Sequence, residues 1–260
     1  MMRSLWIAKT GLDVQQTHLD TISNNLANGT TAGYKRVKPM FEDLIYQTIR
    51  QPGGPTTGDA QSPSGLQVGA GARVAATERV HIQGALNRTE NPLDVAIYGN
   101  GFLQVNLPDG TVAYTRDGNL TRSATGQIVT QAGYTIAPGI TIPVEATSIA
   151  ISESGVVTYT TQGQTTSQNA GEIQLATFAN PAGLTSIGGN LYLETSASGN
   201  PQQGAPGSNG FGSLKQNFIE ASNVNLAEEL VSLIVAQRAY EVNTRAISAS
   251  DDMLGRLSQV

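Results

Sequence analysis

Two heptad-spaced apolar stripes lie at opposite ends of a chain that has no cysteine: Leu5, Leu12, Leu19 and Leu26 near the start, and Leu226, Leu233, Tyr240, Ile247 and Leu254 near the end. A seven-residue apolar repeat keeps one face of a helix turned towards a partner, so each stripe predicts a long amphipathic helix and the two together a coiled coil. Between them runs a Gly-, Thr- and Gln-rich stretch whose alternating patterns and turn signals predict strands. The expected fold class is therefore α+β, with long N- and C-terminal helices pairing as a coiled-coil domain around a central antiparallel, Gly-rich β domain. A chain that leaves a helical layer, builds a β domain and returns has the plan of a building block.

The two helices differ in strength. Ser4 is placed to cap the first, which is expected to end near Asn28 and Gly29, a pair suited to a left-handed C-terminal cap. Gly11 inside it costs about 1 kcal/mol relative to Ala, so this helix depends on packing. The second is expected to start after Asn225, with Glu228 reaching back as a capping-box partner, and to run towards Leu257. Four residues beyond its stripe positions come Leu230, Gln237, Thr244 and Asp251, so one side of the seam grows polar. A two-stranded zipper tolerates this poorly, whereas a bundle of many chains can bury some faces and wet others.

In the middle, Leu93 to Tyr98 and Phe102 to Leu107 alternate, and Gly99-Asn100-Gly101 reads as the turn of a hairpin between them. Pro108-Asp109-Gly110, Arg116-Asp117-Gly118 and Thr125-Gly126 punctuate the next segments at the spacing of antiparallel β domains. Further strands are expected at 149–151, 156–159 and 173–178. Gln51 to Gly71 and Ser196 to Gly212, rich in small residues, read as extended connections.

Chemistry is poorly supplied. His18 and His81 are the only histidines, and neither has the spacing of a metal ligand pair or a catalytic triad. Glu228-Glu229 and Asp251-Asp252 are neighbours on a helix and point about 100° apart, which suits dipole complementarity and solvation better than paired-carboxylate hydrolysis. Gly69-Ala70-Gly71 and Gly207 to Gly212 lack the strand, loop and helix setting of a phosphate loop. Asp109 and Asp117 lack an EF-hand pattern. No cofactor or metal and no enzymatic activity are expected. A net charge of -5 argues against nucleic acid, and the one basic run, Lys35-Arg36-Val37-Lys38, reads as a subunit contact or a solvated edge. No apolar run reaches the ~18 residues of a membrane span, and residues 1–9 are too short and interrupted for a signal-peptide core.

Ser23-Asn24-Asn25-Leu26-Ala27-Asn28-Gly29-Thr30-Thr31-Ala32-Gly33-Tyr34-Lys35-Arg36 resembles the N-terminal signature of bacterial flagellar rod and hook proteins. Ser222 to Leu230 and Gln237 to Asn243 resemble their C-terminal signature, while Asp94 to Phe102 and Tyr114 to Gly118 are similar to the β-domain core of the same proteins. The opening Ser4 to Leu12 and the stretch Phe41 to Gly53 look most like the distal-rod members of the flagellar basal-body rod family.

That resemblance implies a non-enzymatic subunit of the distal rod, exported through the flagellar export apparatus without signal cleavage. It would polymerise helically with itself and transmit torque. Its other partners would be the proximal rod proteins, the hook protein and the peptidoglycan and outer-membrane ring proteins, in a basal body spanning periplasm to outer membrane. The expected layout is a helical domain from 1–35 and 218–260, connecting segments at 36–85 and 190–217 that include a rod-type insert at 51–67, and a β domain at 86–189. Leu12, Leu19, Leu26, Leu233, Tyr240 and Ile247 are the expected assembly residues. Asn24, Asn25, Asn28, Gly33 and Tyr34 would shape the turn after the first helix, and Pro52, Pro55 and Pro63 would stiffen the insert. A proximal rod subunit is the nearest alternative. A peptidoglycan-acting enzyme would need a converging carboxylate pair that the sequence does not visibly supply, and an adhesive β protein would leave both stripes unexplained.

Overall fold

The structure, a computed structural model, describes residues 2–52, 55–57, 60–61, 64–163, 166–208 and 210–257. The chain divides into two compact units, one made of residues 1–27, 37–78 and 225–260, the other of 28–36 and 79–224. Each end of the chain belongs to the first unit.

In the first unit, α1 (Met2–Ala27) and α2 (Leu226–Leu257) pack along each other. At 1.5 Å per residue they span about 39 and 48 Å. α1 starts at Met2, so Ser4 lies within its first turn rather than capping it. Asn225 caps α2 as expected: its side-chain oxygen accepts from the backbone N–H of Ala227 (3.1 Å) and of Glu228 (3.5 Å), groups a helix leaves unpaired at its start. Gly11 has a packing reason, because a Cβ there would lie 3.1 Å from the Asn243 amide nitrogen of α2. The same unit carries small two-stranded ladders. Val37–Asp43 pairs with Ala72–Arg79, Tyr46–Arg50 runs antiparallel to Leu66–Gly69, and Pro55–Thr57 pairs with Ala60–Gln61. The stretch read as an extended connection is thus a hairpin over much of its described length.

The second unit is all antiparallel. Phe102–Asn106 is its central strand, pairing with Val112–Thr115 on one side and with Thr135–Ile136 and Leu175–Thr177 on the other, within a nine-stranded sheet. A three-stranded sheet, Ala146–Ile151, Val156–Thr161 and Gln168–Glu172, agrees with the expected strands at 149–151 and 156–159. The hairpin expected between 93–98 and 102–107 is absent. Val95–Tyr98 pairs instead with Ser213–Gln216, with Ile97 opposite Leu214. Gly99 and Gly101, at φ +108° and +141°, turn the chain out of one ladder and into another, and the Gly212 N–H bonds to the Asn100 carbonyl (2.7 Å). Both strands are buried nearly throughout rather than on alternate residues, as befits a core. That core joins Val95, Ile97, Leu103, Leu120, Ile128, Ile173, Leu175 and Leu214. Beside it an aromatic cluster holds Phe102, Tyr114, Phe178 and Tyr192 edge to face.

Candidate assembly interface

The α2 stripe does not face α1 squarely. The residues of α2 most deeply covered are Glu229, Ala236 and Ser250, with Asn243 partly covered, a heptad series three residues beyond Leu226, Leu233, Tyr240 and Ile247. Positions three apart are the two rows of one seam, so on α2 the row of small and polar side chains is the covered one and the stripe flanks it. Leu233 and Ile247 are half-buried and Tyr240 is exposed. On α1, Val14, Ile22 and Asn25 are buried while Leu12, Leu19 and Leu26 are half-buried. The Glu229 carboxylate acts on His18 of α1. Burial lowers the His18 pKa, and Glu229 pulls it partly back.

Beyond the stripe, α2 turns an apolar face outward. Leu230, Val231, Ile234, Val235 and Val242 are all exposed, Val235 at 62% and Val242 at 64%. Val231, Val235 and Val242 stand at i, i+4 and i+11, with the i, i+4 pair Leu230 and Ile234 beside them, so they form a continuous face. At roughly 1.5 to 3 kcal/mol for each large apolar side chain fully covered, such a face represents a substantial driving force for association. A second exposed apolar group in the same unit, Ile45, Tyr46, Ile49 and Leu66, lies on and beside the ladder of Tyr46–Arg50 with Leu66–Gly69. Pro52 is exposed in its turn and Pro55 opens a short strand; Pro63 lies outside the described residues.

The turn after α1 is closely built. Asn25 pairs with Val37 like a strand neighbour, its amide donating to the Val37 carbonyl (2.8 Å) and its side-chain oxygen accepting from the Val37 N–H (2.9 Å). Asn28 accepts at its carbonyl from the Thr31 N–H (3.2 Å) and at its side chain from the Thr31 hydroxyl (3.2 Å). The left-handed residue is Gly33, at φ +69°, and not Asn28 or Gly29. A Cβ on Gly33 would lie 2.7 Å from the Asp117 backbone nitrogen. Tyr34 is buried with the Arg79 guanidinium over its ring, and Asn24 stays exposed on the last turn of α1.

Lys35 overturns the reading of its basic run as surface. It is fully buried, donating to the Glu220 carboxylate (2.6 Å) and the Ile82 carbonyl (2.8 Å). Burial pushes its pKa below the usual lysine range, and Glu220 opposes the shift. Glu220 also accepts from Arg116 (3.1 Å) and from the Gly84 N–H (2.8 Å). This ion network ties the segment after α1 to the strands Leu86–Arg88 and Phe218–Glu220, which pair with each other. The other half of the motif behaves likewise: the Asn223 side chain accepts from the Arg36 N–H (2.7 Å) and donates to the Val80 (2.8 Å) and Ile82 (3.0 Å) carbonyls.

The geometry is that of packed connections and uncovered apolar faces. Known proteins match the sequence along the whole chain. Residues 5–35 match the family described as flagella basal body rod protein, residues 96–174 the flagellar hook protein FlgE/F/G D1 domain, and residues 215–260 the flagellar basal body rod FlgEFG protein C-terminal family. The chain is similar to the flagellar basal-body rod protein FlgG of Buchnera aphidicola subsp. Acyrthosiphon pisum, at 53% identity over 100% of both chains. It is 48% identical to FlgG of Caulobacter vibrioides over 100% of this chain and 99% of that one. The flagellar hook-basal body complex protein FlhP of Bacillus subtilis is more distant, at 34% identity over 100% of both.

Proposed function

The chain belongs to the flagellar basal-body rod protein family as a FlgG-type, non-enzymatic structural subunit of the distal rod, and from that premise we propose how it assembles. Copies polymerise helically through contacts that repeat without closing into a ring, and the polymer transmits torque from motor to hook. The observation that carries this reading is the uncovered apolar face of α2, which a single subunit leaves in water. Leu12, Leu19, Leu26, Leu233, Tyr240 and Ile247 border the helix seam and serve as the rim of the subunit contact. Asn24, Asn25, Asn28, Gly33 and Tyr34 fix the exit from α1. The hairpin around residues 51–67 acts as a wedge that stiffens the tube, with Pro52, Pro55 and Pro63 limiting its freedom.

A place in the distal rod implies the partners: proximal rod proteins below, hook protein above, ring proteins of the peptidoglycan and outer membrane around it, and the export apparatus that delivers the chain without signal cleavage. Electron microscopy of the purified chain tests the reading. Straight tubes are the expected product, and a chain that stays monomeric at high concentration would contradict it.

A further inference from the structure

The ion network around Glu220 leaves positive charge over. Lys35, Arg79 and Arg116 all act on His81, whose pKa is lowered to about 4 by burial first and then by these three cations. The ring is therefore neutral at neutral pH and adds no charge of its own. Arg116, 4% exposed, gives one terminal nitrogen to Glu220 (3.1 Å) and the other to the Gly99 carbonyl (2.7 Å). Its Nε–H has no acceptor among the described residues, whereas the neutral His81 ring gives its one N–H to the Pro181 carbonyl and leaves Nδ1 as an acceptor. Both side chains line a cavity of about 400 Å³, within the size range of small-ligand pockets. Phe102, Phe178 and Phe211 contribute apolar wall, and Asn100 and Gln202 contribute amides.

A buried guanidinium N–H without an acceptor is costly until one arrives, and an excess of positive charge in a low-dielectric pocket selects an anion. Aromatic walls add a preference for an anion on a short apolar stem, and Arg binds planar carboxylates best. We infer that this cavity is a carboxylate-binding site, and that in the assembled rod it receives an aspartate or glutamate side chain from a second copy of the chain. The choice of occupant rests on the polymerisation proposed above. It fits the charge of the molecule, since with 20 acidic residues against 15 basic ones each copy offers its neighbour a surplus of carboxylates.

Acetate is the probe, and the Arg116 Nε–H resonance of the full-length chain is the readout. Acetate should shift that resonance saturably while chloride at equal concentration should not. Gln202→Glu, at an exposed position in the cavity lining, supplies a carboxylate of its own and should weaken the acetate response by about tenfold or more. No saturable response, or an equal one to chloride, would overturn the site. Polymer grown without added carboxylate should show the shifted resonance, and Gln202→Glu should slow polymerisation. An unshifted resonance in well-formed polymer would overturn the second copy as occupant while leaving the proposed function intact. Failure of the wild-type chain to polymerise would instead remove that function and the occupant with it.

Discussion

Glu220 is the residue on which the second unit turns, because among the described residues it is the one carboxylate in hydrogen-bonding contact with both Lys35 and Arg116, which are buried. Glu220→Gln leaves both facing a neutral amide, and breaking a buried ion pair in this way costs about 3–5 kcal/mol. Urea unfolding of the full chain should show that loss, and a change under about 1 kcal/mol would contradict the network's role. His81 adds a pH dependence. Its pKa is about 4 folded against an ordinary 6.5, so between those values the unfolded chain binds more protons. Its contribution is complete above about pH 6.5 and is lost as pH falls towards 4, by about 3 kcal/mol at most given its partial exposure. His81→Phe, which keeps a ring beside Phe102 and Tyr192, should flatten the acid limb of the stability curve; an unchanged limb would exclude His81 as its source. None of this was legible locally. Lys35 sits beside Arg36 and close to Lys38 and so reads as surface, while its carboxylate partner lies 185 positions along the chain.

At the scale of elements, the helices were legible and their facing was not. A heptad stripe reports that a face is apolar, but not whether the chain's own partner helix or another copy covers it. Here α2 covers small and polar residues, from Glu229 to Ser250, and leaves its larger apolar residues at the rim of the seam or outside it, whereas α1 buries Val14 and Ile22. The missed hairpin at 93–107 has a related cause: its strands alternate well enough to pair with each other, yet Val95–Tyr98 has a partner more than a hundred residues away in Ser213–Gln216. Local pattern cannot rank a near partner against a distant one. Because α2 gains little cover within one subunit, its amides over 230–257 should exchange hydrogen faster in the monomer than those of Phe102–Asn106, and slow markedly in the polymer. Equal protection in both states would argue that α2 needs no neighbour. Leu233→Asp, at a half-buried rim position, should weaken both the helix pair and assembly, seen as lower α2 protection together with lost polymer.

For the whole molecule, the second unit is folded on its own core, whereas the proposed assembly completes the first unit with cover from neighbouring copies. The hairpin of Tyr46–Arg50 and Leu66–Gly69 belongs to the unit that carries the exposed face of α2, and the exposed Ile45, Tyr46, Ile49 and Leu66 on and beside it make it a contact element in that proposed assembly. Deleting residues 51–67 should permit polymerisation but yield curved or bendable tubes, and straight tubes from the deletion would refute a stiffening role. The most direct test concerns the outward face of α2. Val235→Asp changes an exposed position and should alter subunit stability by no more than about 0.5 kcal/mol, yet place a charge where a neighbour must pack. Electron microscopy of the purified variant beside wild type decides the matter: a stable monomer that forms no tubes is the expected result, and tubes indistinguishable from wild type would contradict assembly through this face.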